Sequence, residues 1–442
     1  MSWHDHFAHL ADTLEAGRHA EEGYTLSFEA EDTHFVRFNR GRVRQPGDVR
    51  QGSVSLRWLQ GRRHASGSVP LTGDRALDGA RVAEERDGLR RLVAALPEDP
   101  HLLINEDPRS TTRATPDALP DPVETVETVC AAADGLDLVG ILAMGGLHRG
   151  FANHLGQRNW FGTHTALFDG SLVAGGDKAV KQSYGGPDFS LEGLVDRLGA
   201  GRAQLAALGR PERVIPPGRY RAFLAPAAVG GILELLAWDA FSCRAQHSGS
   251  SVLGRLIEGE ESLDPRVLLV ENTAGGLGPG FQDDGFLKPD TVPLILEGAH
   301  AGGLVSPRSA REYGLPQNGA SAHENPSALD LAGGELPTEA ALRALGTGVW
   351  VSNLWYLNYS DRNAARLTGM TRFATFWVED GEIVAPLSVM RFDDSLFDLL
   401  GAALEEITRE QELFPSASTY GVRSTDSLRV PGLLVGGLTF TL

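Results

Sequence analysis

The chain has 442 residues, of which 58 are Asp or Glu, 40 are Lys or Arg and only two are Cys. The formal charge of −18 argues against a dedicated nucleic-acid binder, which needs clustered basic residues, and two cysteines cannot form a disulfide framework or a four-cysteine zinc site. No apolar run reaches the ~18–20 residues of a membrane-spanning helix, and the N-terminus lacks the features of a signal peptide, so we expect a cytoplasmic protein of roughly two or three domains.

Residues 1–110 are predicted to form a β-rich unit with helices. Apolar and polar residues alternate over 24–30 and again over 54–58, which is the pattern of half-buried strands. An amphipathic helix is predicted over 74–97, with Asp74 as its N-cap. Gln60-Gly61 starts the return of a hairpin after the second strand, so this unit combines strands with a helix.

The remaining chain is predicted to contain a small central unit, residues 111–215, and a C-terminal unit, residues 216–442. Adjacent prolines at 216 and 217 exclude a regular helix and mark the boundary between these units. In the C-terminal unit, Asp380-Gly381 is typical of a tight hairpin turn, and the leucine spacing over 396–407 predicts a helix. The fold class is α+β.

Standard catalytic and metal-binding motifs are missing from the sequence. It contains neither a G-x-x-x-x-G-K-[ST] phosphate loop nor a G-x-S-x-G nucleophile elbow. The glycine-rich run 275–280 contains Pro279 and is interpreted as a turn. His323-Glu324 is followed by Pro326, which prevents the helix that a zinc-protease motif requires. Three histidines near the N-terminus are expected to be solvated rather than to bind a metal: His4, His6 and His9.

A strongly apolar helix predicted over 229–243 is the most informative segment. Apolar residues occur on both of its faces, which is typical of a buried helix. Glu234 lies within it, and a buried carboxylate must be hydrogen-bonded, ion-paired or protonated. Glu234 is therefore either an acceptor for a neighbouring strand or partner chain, or a member of a functional site, and the residues alone favour the first role.

This helix and its surroundings resemble the TldD/PmbA family, also called the modulator of DNA gyrase or TldD/TldE metallopeptidase family. The order of features is similar over nearly the whole length, so the resemblance implies a C-terminal domain related to metallopeptidases. Short segments of the C-terminal unit contribute to the resemblance: 250–251, 266–272, 348–351, 376–383 and 435–438.

Family members of the TldD type carry His-Glu-x-x-x-His on this helix and take a third zinc ligand from a cysteine near the C-terminus. Here Leu233 and Trp238 occupy the two histidine positions, Glu234 occupies the general-base position, and no cysteine follows Cys243. Leucine has no lone pair and the indole nitrogen is only a donor, so neither side chain can bind zinc. The resemblance thus implies a degenerate motif, with no catalytic residue, metal site or cofactor in this chain.

The resemblance implies a zinc-less subunit of the TldE (PmbA) type that pairs with a TldD-like catalytic subunit carrying zinc. Such a cytosolic heterodimer would cleave peptides or unfolded segments, and this subunit would contribute to assembly and substrate recognition. Two alternatives stay open: a stand-alone peptidase with a non-standard site, and a homodimeric peptide-binding protein. Neither nucleic acid nor a membrane is an expected partner.

An aromatic run and three arginines in the C-terminal unit have two interpretations each. The aromatic residues at 350, 355, 356 and 359 either fill the core or line an interface. The arginines flank Asp361 and either hold a peptide carboxylate or an acidic partner, or are plain surface charges: Arg362, Arg366 and Arg372. The overall negative charge favours cationic peptides through long-range steering.

Overall fold

The computed structural model describes residues 2–175 and 178–441, and two β-sheets organise it. The first sheet and its helices contain, in chain order, α1 (Trp3–Ala16), β1 (Glu22–Asn39), β2 (Arg42–Gln60), β3 (Arg63–Leu71), α2 (Arg75–Val93), β4 (Thr111–Ala114), α3 (Pro122–Ala132), β5 (Leu138–Asn153), β6 (Arg158–Val173), β7 (Ala179–Gly186) and α4 (Leu191–Leu208).

The second sheet and its helices follow. They contain β8 (Gly218–Leu224), α5 (Pro226–Leu236), α6 (Cys243–His247), α7 (Gly254–Ile257), β9 (Leu269–Asn272), β10 (Thr291–Leu296), β11 (Ala299–His300), α8 (Pro307–Tyr313), β12 (Ala328–Leu331), α9 (Ala341–Leu345), β13 (Gly348–Val351), β14 (Trp355–Asp361), β15 (Arg366–Met370), β16 (Thr375–Glu379), β17 (Glu382–Pro386), β18 (Arg391–Ser395), β19 (Leu404–Pro415) and β20 (Ser427–Phe440). None of the helices in the described ranges is long and apolar enough to cross a membrane.

The first sheet has seven strands in the order β3-β2-β1-β5-β6-β4, with β7 also beside β6. β1 pairs antiparallel with β5 from Thr25↔Asn153 to Asn39↔Val139. The predicted units 1–110 and 111–215 therefore contribute strands to one shared sheet. Their helices cover one face of it, where alternate β1 residues such as Phe28 pack against α1.

The second sheet has thirteen strands, and β20 lies at its centre. This strand pairs with β8, β12, β18 and β19, and α5 packs against it within the largest apolar core of the described chain. The predicted hairpin at Asp380-Gly381 is confirmed, since both residues have positive φ, 50° and 81°, as the tight turn requires. The predicted α+β class is likewise confirmed.

The predicted helix over 229–243 is wrong in its extent, because α5 ends at Leu236. The chain then turns, and α6 begins where the Ser242 hydroxyl accepts a hydrogen bond from the backbone N–H of Ala245. A serine that caps a new helix in this way competes with continuation of the preceding one. The turn frees Trp238 from the helix and places it at the surface.

The helix predicted over 396–407 is also wrong in its extent, because only residues 396–402 are helical. The chain makes a tight π-type turn over Asp398–Ala402, in which Gly401 has non-helical φ and ψ of −118° and −111°. It then enters β19, which pairs with β20. A short apolar run is compatible with both a buried helix and a buried strand, and here strand pairing determines the outcome.

The three N-terminal histidines belong to α1, so their predicted solvation is wrong for the middle one. His6 is buried, and its Nε2 lies 3.0 Å from the Asp78 carboxylate. Its position follows from helical spacing, because α1 directs Trp3, Phe7 and Leu10 towards the first sheet. His6 therefore serves the packing of α1 against the start of α2.

Candidate functional site

A cavity of about 460 Å³ lies where α5 faces the first sheet. The first sheet contributes Asp169 from β6 and Lys181 from β7, and α5 contributes Glu234. Trp355 and Tyr356 from β14 line it from the second sheet. We call this the central cavity; it is formed by both halves of the chain.

Helical spacing places one face of α5 and the turn after it along the central cavity. The residues on this face are Ala227, Gly230, Gly231, Glu234 and Trp238, which follow an i, i+3, i+4, i+7 pattern. Two of them are glycines, and a Cβ at Gly231 would lie 3.1 Å from Leu357 Cδ1, so α5 approaches β14 closely there. Leu233 points to the opposite side and is only 1% exposed.

Of the three positions of the predicted degenerate motif, two therefore line the cavity and one does not. The expectation that Glu234 is buried is wrong: its side chain is exposed within the cavity. Its carboxylate forms no hydrogen bond or ion pair with the described residues. Its pKa is raised because the surrounding protein removes it from bulk water; nearby Lys181 opposes this increase and Asp169 adds to it.

The opposite wall of the cavity carries an ion pair. Lys181 Nζ lies 3.7 Å from the Asp169 carboxylate, and burial raises the pKa of Asp169 although Lys181 acts against the increase. One ammonium group therefore faces two carboxylates, those of Asp169 and Glu234. This arrangement leaves Glu234 able to accept a hydrogen bond from a ligand.

The predicted aromatic run divides between core and cavity. Trp350 stacks on Phe223 with ring centroids 4.5 Å apart, and Tyr359 donates a hydrogen bond to the Leu235 carbonyl at 3.3 Å, so these two stabilise the fold. The other two aromatic residues of the run line the central cavity and remain exposed.

Trp355 and Tyr356 are 37% and 76% exposed, and their ring centroids lie 5.4 Å apart. A register shift in β14 falls between Trp355 and Asn358, and Tyr356 has a φ of +55°. Such a backbone costs about 1–3 kcal/mol for a bulky residue and clusters at ligand-binding sites. Trp238, 69% exposed, completes an open aromatic surface beside Glu234.

The predicted arginines bind within the chain. Arg362 pairs with Asp239 at 2.7 Å, Arg366 pairs with Asp393 at 2.8 Å, and the Arg372 guanidinium lies 4.8 Å from the centroid of the Trp355 ring. The first two support the turn after α5 and the β15–β18 pair. The third borders the aromatic surface.

Two further cavities adjoin the central cavity and share lining residues with each other or with it. A cavity of about 350 Å³ shares Glu234 and Trp238 with it and adds Asp426. A third, of about 240 Å³, shares Asp426 and reaches Arg149 on β5. We call the three together the groove. Its extended shape and mixture of aromatic, amide and charged groups suit a peptide strand.

Sequence patterns indicate Glu234 and the aromatic residues but give no signal for Asp169, Lys181 or Asp426.

The other reactive side chains near α5 are structural. Glu324 is buried and accepts hydrogen bonds from Ser242 Oγ at 2.7 Å and from the backbone N–H groups of Arg244 and Ser306, both at 2.9 Å. Cys243 Sγ lies 3.5 Å from His247 Nδ1. Burial and nearby Glu324 raise the pKa of Cys243 to about 11, so its thiol stays protonated near neutral pH and is a poor nucleophile.

The donors around Glu234 do not fit a zinc ion. The described residues that line the central cavity include neither histidine nor cysteine, and one of the two nearby carboxylates is already paired with Lys181. Across residues 2–175 and 178–441, no group of three histidine, cysteine or carboxylate side chains is placed to hold a metal.

Comparison with known proteins agrees with this architecture. The family model for the C-terminal domain of PmbA/TldA metallopeptidases matches residues 217–442, just over half of the chain. No curated protein matches in sequence.

Several solved structures share the fold over almost the whole chain. TldE from Thermococcus kodakarensis has a TM-score of 0.77 at 14% identity, covering 99% of this chain and 100% of that one. A candidate modulator of a DNA gyrase from Thermotoga maritima has a TM-score of 0.74 at 15% identity, covering 98% and 100%. A candidate modulator from Bacteroides thetaiotaomicron has a TM-score of 0.72 at 15% identity, covering 99% and 98%. The chain belongs to the PmbA/TldA metallopeptidase family.

Proposed function

We propose that this chain is a zinc-less, non-catalytic subunit of the TldE/PmbA type that binds peptides or unfolded segments in its groove. A TldD-like subunit then supplies zinc and cleaves the bound chain. Family membership supports the general role. The observation that carries the specific proposal is an open aromatic cavity around Glu234, with Leu233 and Trp238 in place of metal ligands.

In this proposal the groove recognises substrate without reacting with it. The carboxylate of Glu234 accepts a hydrogen bond from a peptide N–H, and Trp238, Trp355 and Tyr356 pack against apolar side chains. Without a metal-bound water beside it, Glu234 has no proton to abstract. Binding through several weak contacts along the groove tolerates many sequences, as processing of unfolded segments requires.

The proposed complex is a cytosolic heterodimer. Mixing the purified chain with a TldD-type protein that carries His-Glu-x-x-x-His tests it directly, with cleavage of an unfolded protein followed by mass spectrometry. We expect cleavage only in the mixture, together with co-elution of the two chains on size exclusion. The matched variants are Trp238→Ala, which removes a groove contact, and Val214→Ala, which truncates another exposed apolar side chain outside the groove.

The two alternatives give different outcomes in the same experiment. Cleavage by this chain alone would establish a stand-alone peptidase and contradict the proposal. Peptide binding without cleavage or association in the mixture would identify a peptide-binding protein that acts without a TldD-type partner. A self-associated chain on size exclusion would then indicate a homodimer.

A further inference from the structure

A concentration of arginine at the end of the β1–β2 hairpin contrasts with the acidic character of the whole chain. Residues 37–50, which we call the arginine arm, contain five arginines and one carboxylate, whereas the full chain has a formal charge of −18. The turn at Arg40-Gly41 joins the two strands of the arm. Four of the arginines lie within eight positions of each other: Arg37, Arg40, Arg42 and Arg44.

These four side chains are exposed and have no acidic partner in the described chain. No hydrogen bond or ion pair joins any of these four side chains to the described residues, and the Arg37 guanidinium lies 5.7 Å from the centroid of the Phe35 ring. The one carboxylate of the arm, Asp48, is engaged by His34 at 2.6 Å. Many other arginines of the chain are paired, for example Arg90 with Glu22 at 2.6 Å. The arm therefore presents guanidinium groups that the chain itself leaves uncompensated.

The arm is also an open edge of the first sheet. β3 pairs with β2 only from Gly52 onwards, so residues 42–51 have no strand on their outer side among the described residues. Arg44 is the extra residue of a bulge in this stretch, and Pro46 has no N–H to donate. Bulges and prolines disfavour the addition of another strand at an edge. Recognition by side chains is therefore favoured over backbone pairing.

An exposed apolar side chain accompanies the arginines of the arm. Gln51, just beyond the arm, donates a hydrogen bond from Nε2 to the Gly421 carbonyl at 2.7 Å, so the loop that carries Tyr420 lies at the far end of this edge from the four clustered arginines. Val43 within the arm is exposed. Arginine is enriched at protein–protein interfaces, and the forked guanidinium group matches the geometry of a carboxylate.

We propose that the arginine arm binds a carboxylate-rich segment of another protein chain. This inference is independent of peptide binding in the groove. Phosphates would also match guanidinium groups, but a chain with a net charge of −18 repels an extended polyanion over a longer range than it repels a short acidic segment. The exposed Val43 within the arm gives a protein partner an apolar contact as well.

Fluorescence anisotropy of a short labelled peptide of alternating Glu and Gly residues tests the proposal on the full chain at low ionic strength. The arm variant changes Arg37, Arg40, Arg42 and Arg44 to Gln. The control variant makes the same charge change at exposed arginines that lack ion pairs elsewhere: Arg75, Arg81, Arg91 and Arg343. Circular dichroism confirms that both variants are folded.

We expect the arm variant to bind the peptide about tenfold or more weakly than the unmodified chain, and the control variant to retain most of the affinity. Added salt should weaken binding to the unmodified chain. No binding to the unmodified chain, or equal losses in both variants, would overturn the proposal. Tighter arm-dependent binding of a DNA duplex than of the acidic peptide would also overturn it, because the occupant would then be a nucleic acid.

Discussion

Asp78, beside the start of α2, and Glu234, on α5, are carboxylates in opposite surroundings. Asp78 is fully buried and accepts hydrogen bonds from the backbone N–H groups of Thr72 and Gly73, from the Thr72 hydroxyl and from His6. Glu234 is exposed in the groove and accepts none from the described residues. The Asp78 carboxylate stabilises the fold, whereas the Glu234 carboxylate is available to a ligand. The difference predicts which substitutions affect stability and which affect binding.

The largest expected effect is at Asp78. Asp78→Ala leaves the N–H groups of Thr72 and Gly73 without an acceptor in a buried site, which should lower the free energy of unfolding by about 4 kcal/mol. Urea denaturation followed by circular dichroism measures this value. The surface substitution Asp74→Ala at the nearby N-cap is the control, with an expected loss of about 1 kcal/mol. Equal losses in the two variants would contradict the structural role assigned to Asp78.

Leu233 and Glu234 allow the same comparison within one helix. Leu233→Ala leaves a cavity in the largest apolar core and should lower the free energy of unfolding by about 3 kcal/mol. Glu234→Ala should change stability by about 0.5 kcal/mol or less, because its side chain contributes no hydrogen bond to the fold. The unfolding midpoints of the two variants, measured side by side, check the assignment of opposite faces. A large loss at Glu234 would mean that it has a partner within the fold.

A third prediction concerns His148 on β5, a partly buried side chain that does not line the groove. Burial, with smaller contributions from His164 and Arg149, lowers its pKa to about 4, and Asp32 only partly opposes this. The unfolded chain therefore takes up a proton near pH 6.5, while the folded chain does so only near pH 4. Stability should fall as pH decreases between these values, by about 2 kcal/mol at pH 5.

The variant His148→Gln should lose this part of the acid sensitivity. Its free energy of unfolding, compared with that of the unmodified chain at pH 7 and pH 5, isolates the contribution of His148. Parallel pH dependence in the two proteins would contradict the partly buried, neutral state of this imidazole.

The smallest stability effect is expected from the titration of Glu234. Its pKa is raised in the folded chain, chiefly by removal from water, so the folded state keeps its proton to a higher pH than the unfolded state. The corresponding contribution is present at low pH and is lost as pH rises through the folded pKa. As pH rises through this interval, Glu234→Gln should therefore become slightly more stable relative to the unmodified chain, as differential scanning calorimetry can detect. If the variant instead becomes less stable relative to the unmodified chain as pH rises, the carboxylate is ion-paired.

Much of the fold could be predicted from local patterns. The alternation over 24–30 and the Asp380-Gly381 turn each depend on neighbouring residues and were confirmed. The failures arose where tertiary pairing decides the structure. The apolar run at 396–407 is helical only as far as residue 402 and then becomes a strand, because it pairs with β20, and no local pattern reveals that partner.

The groove could be predicted only in part. Glu234 was recognisable as an unusual carboxylate in an apolar segment, but its exposure follows from the cavity that its face of α5 lines, which the local sequence does not reveal. Asp169 and Lys181 reach the groove from strands of the first sheet. They lie far from α5 in sequence, so no spacing rule could connect them with it.

Zinc content measured by plasma mass spectrometry tests the central claim most directly. The purified chain would be equilibrated with excess zinc and dialysed, alongside Glu234→Ala. We expect that neither protein retains stoichiometric zinc, because the described residues lining the central cavity include no imidazole or thiolate ligand. About one tightly held zinc per chain that disappears in Glu234→Ala would contradict the assignment of this chain as a zinc-less subunit.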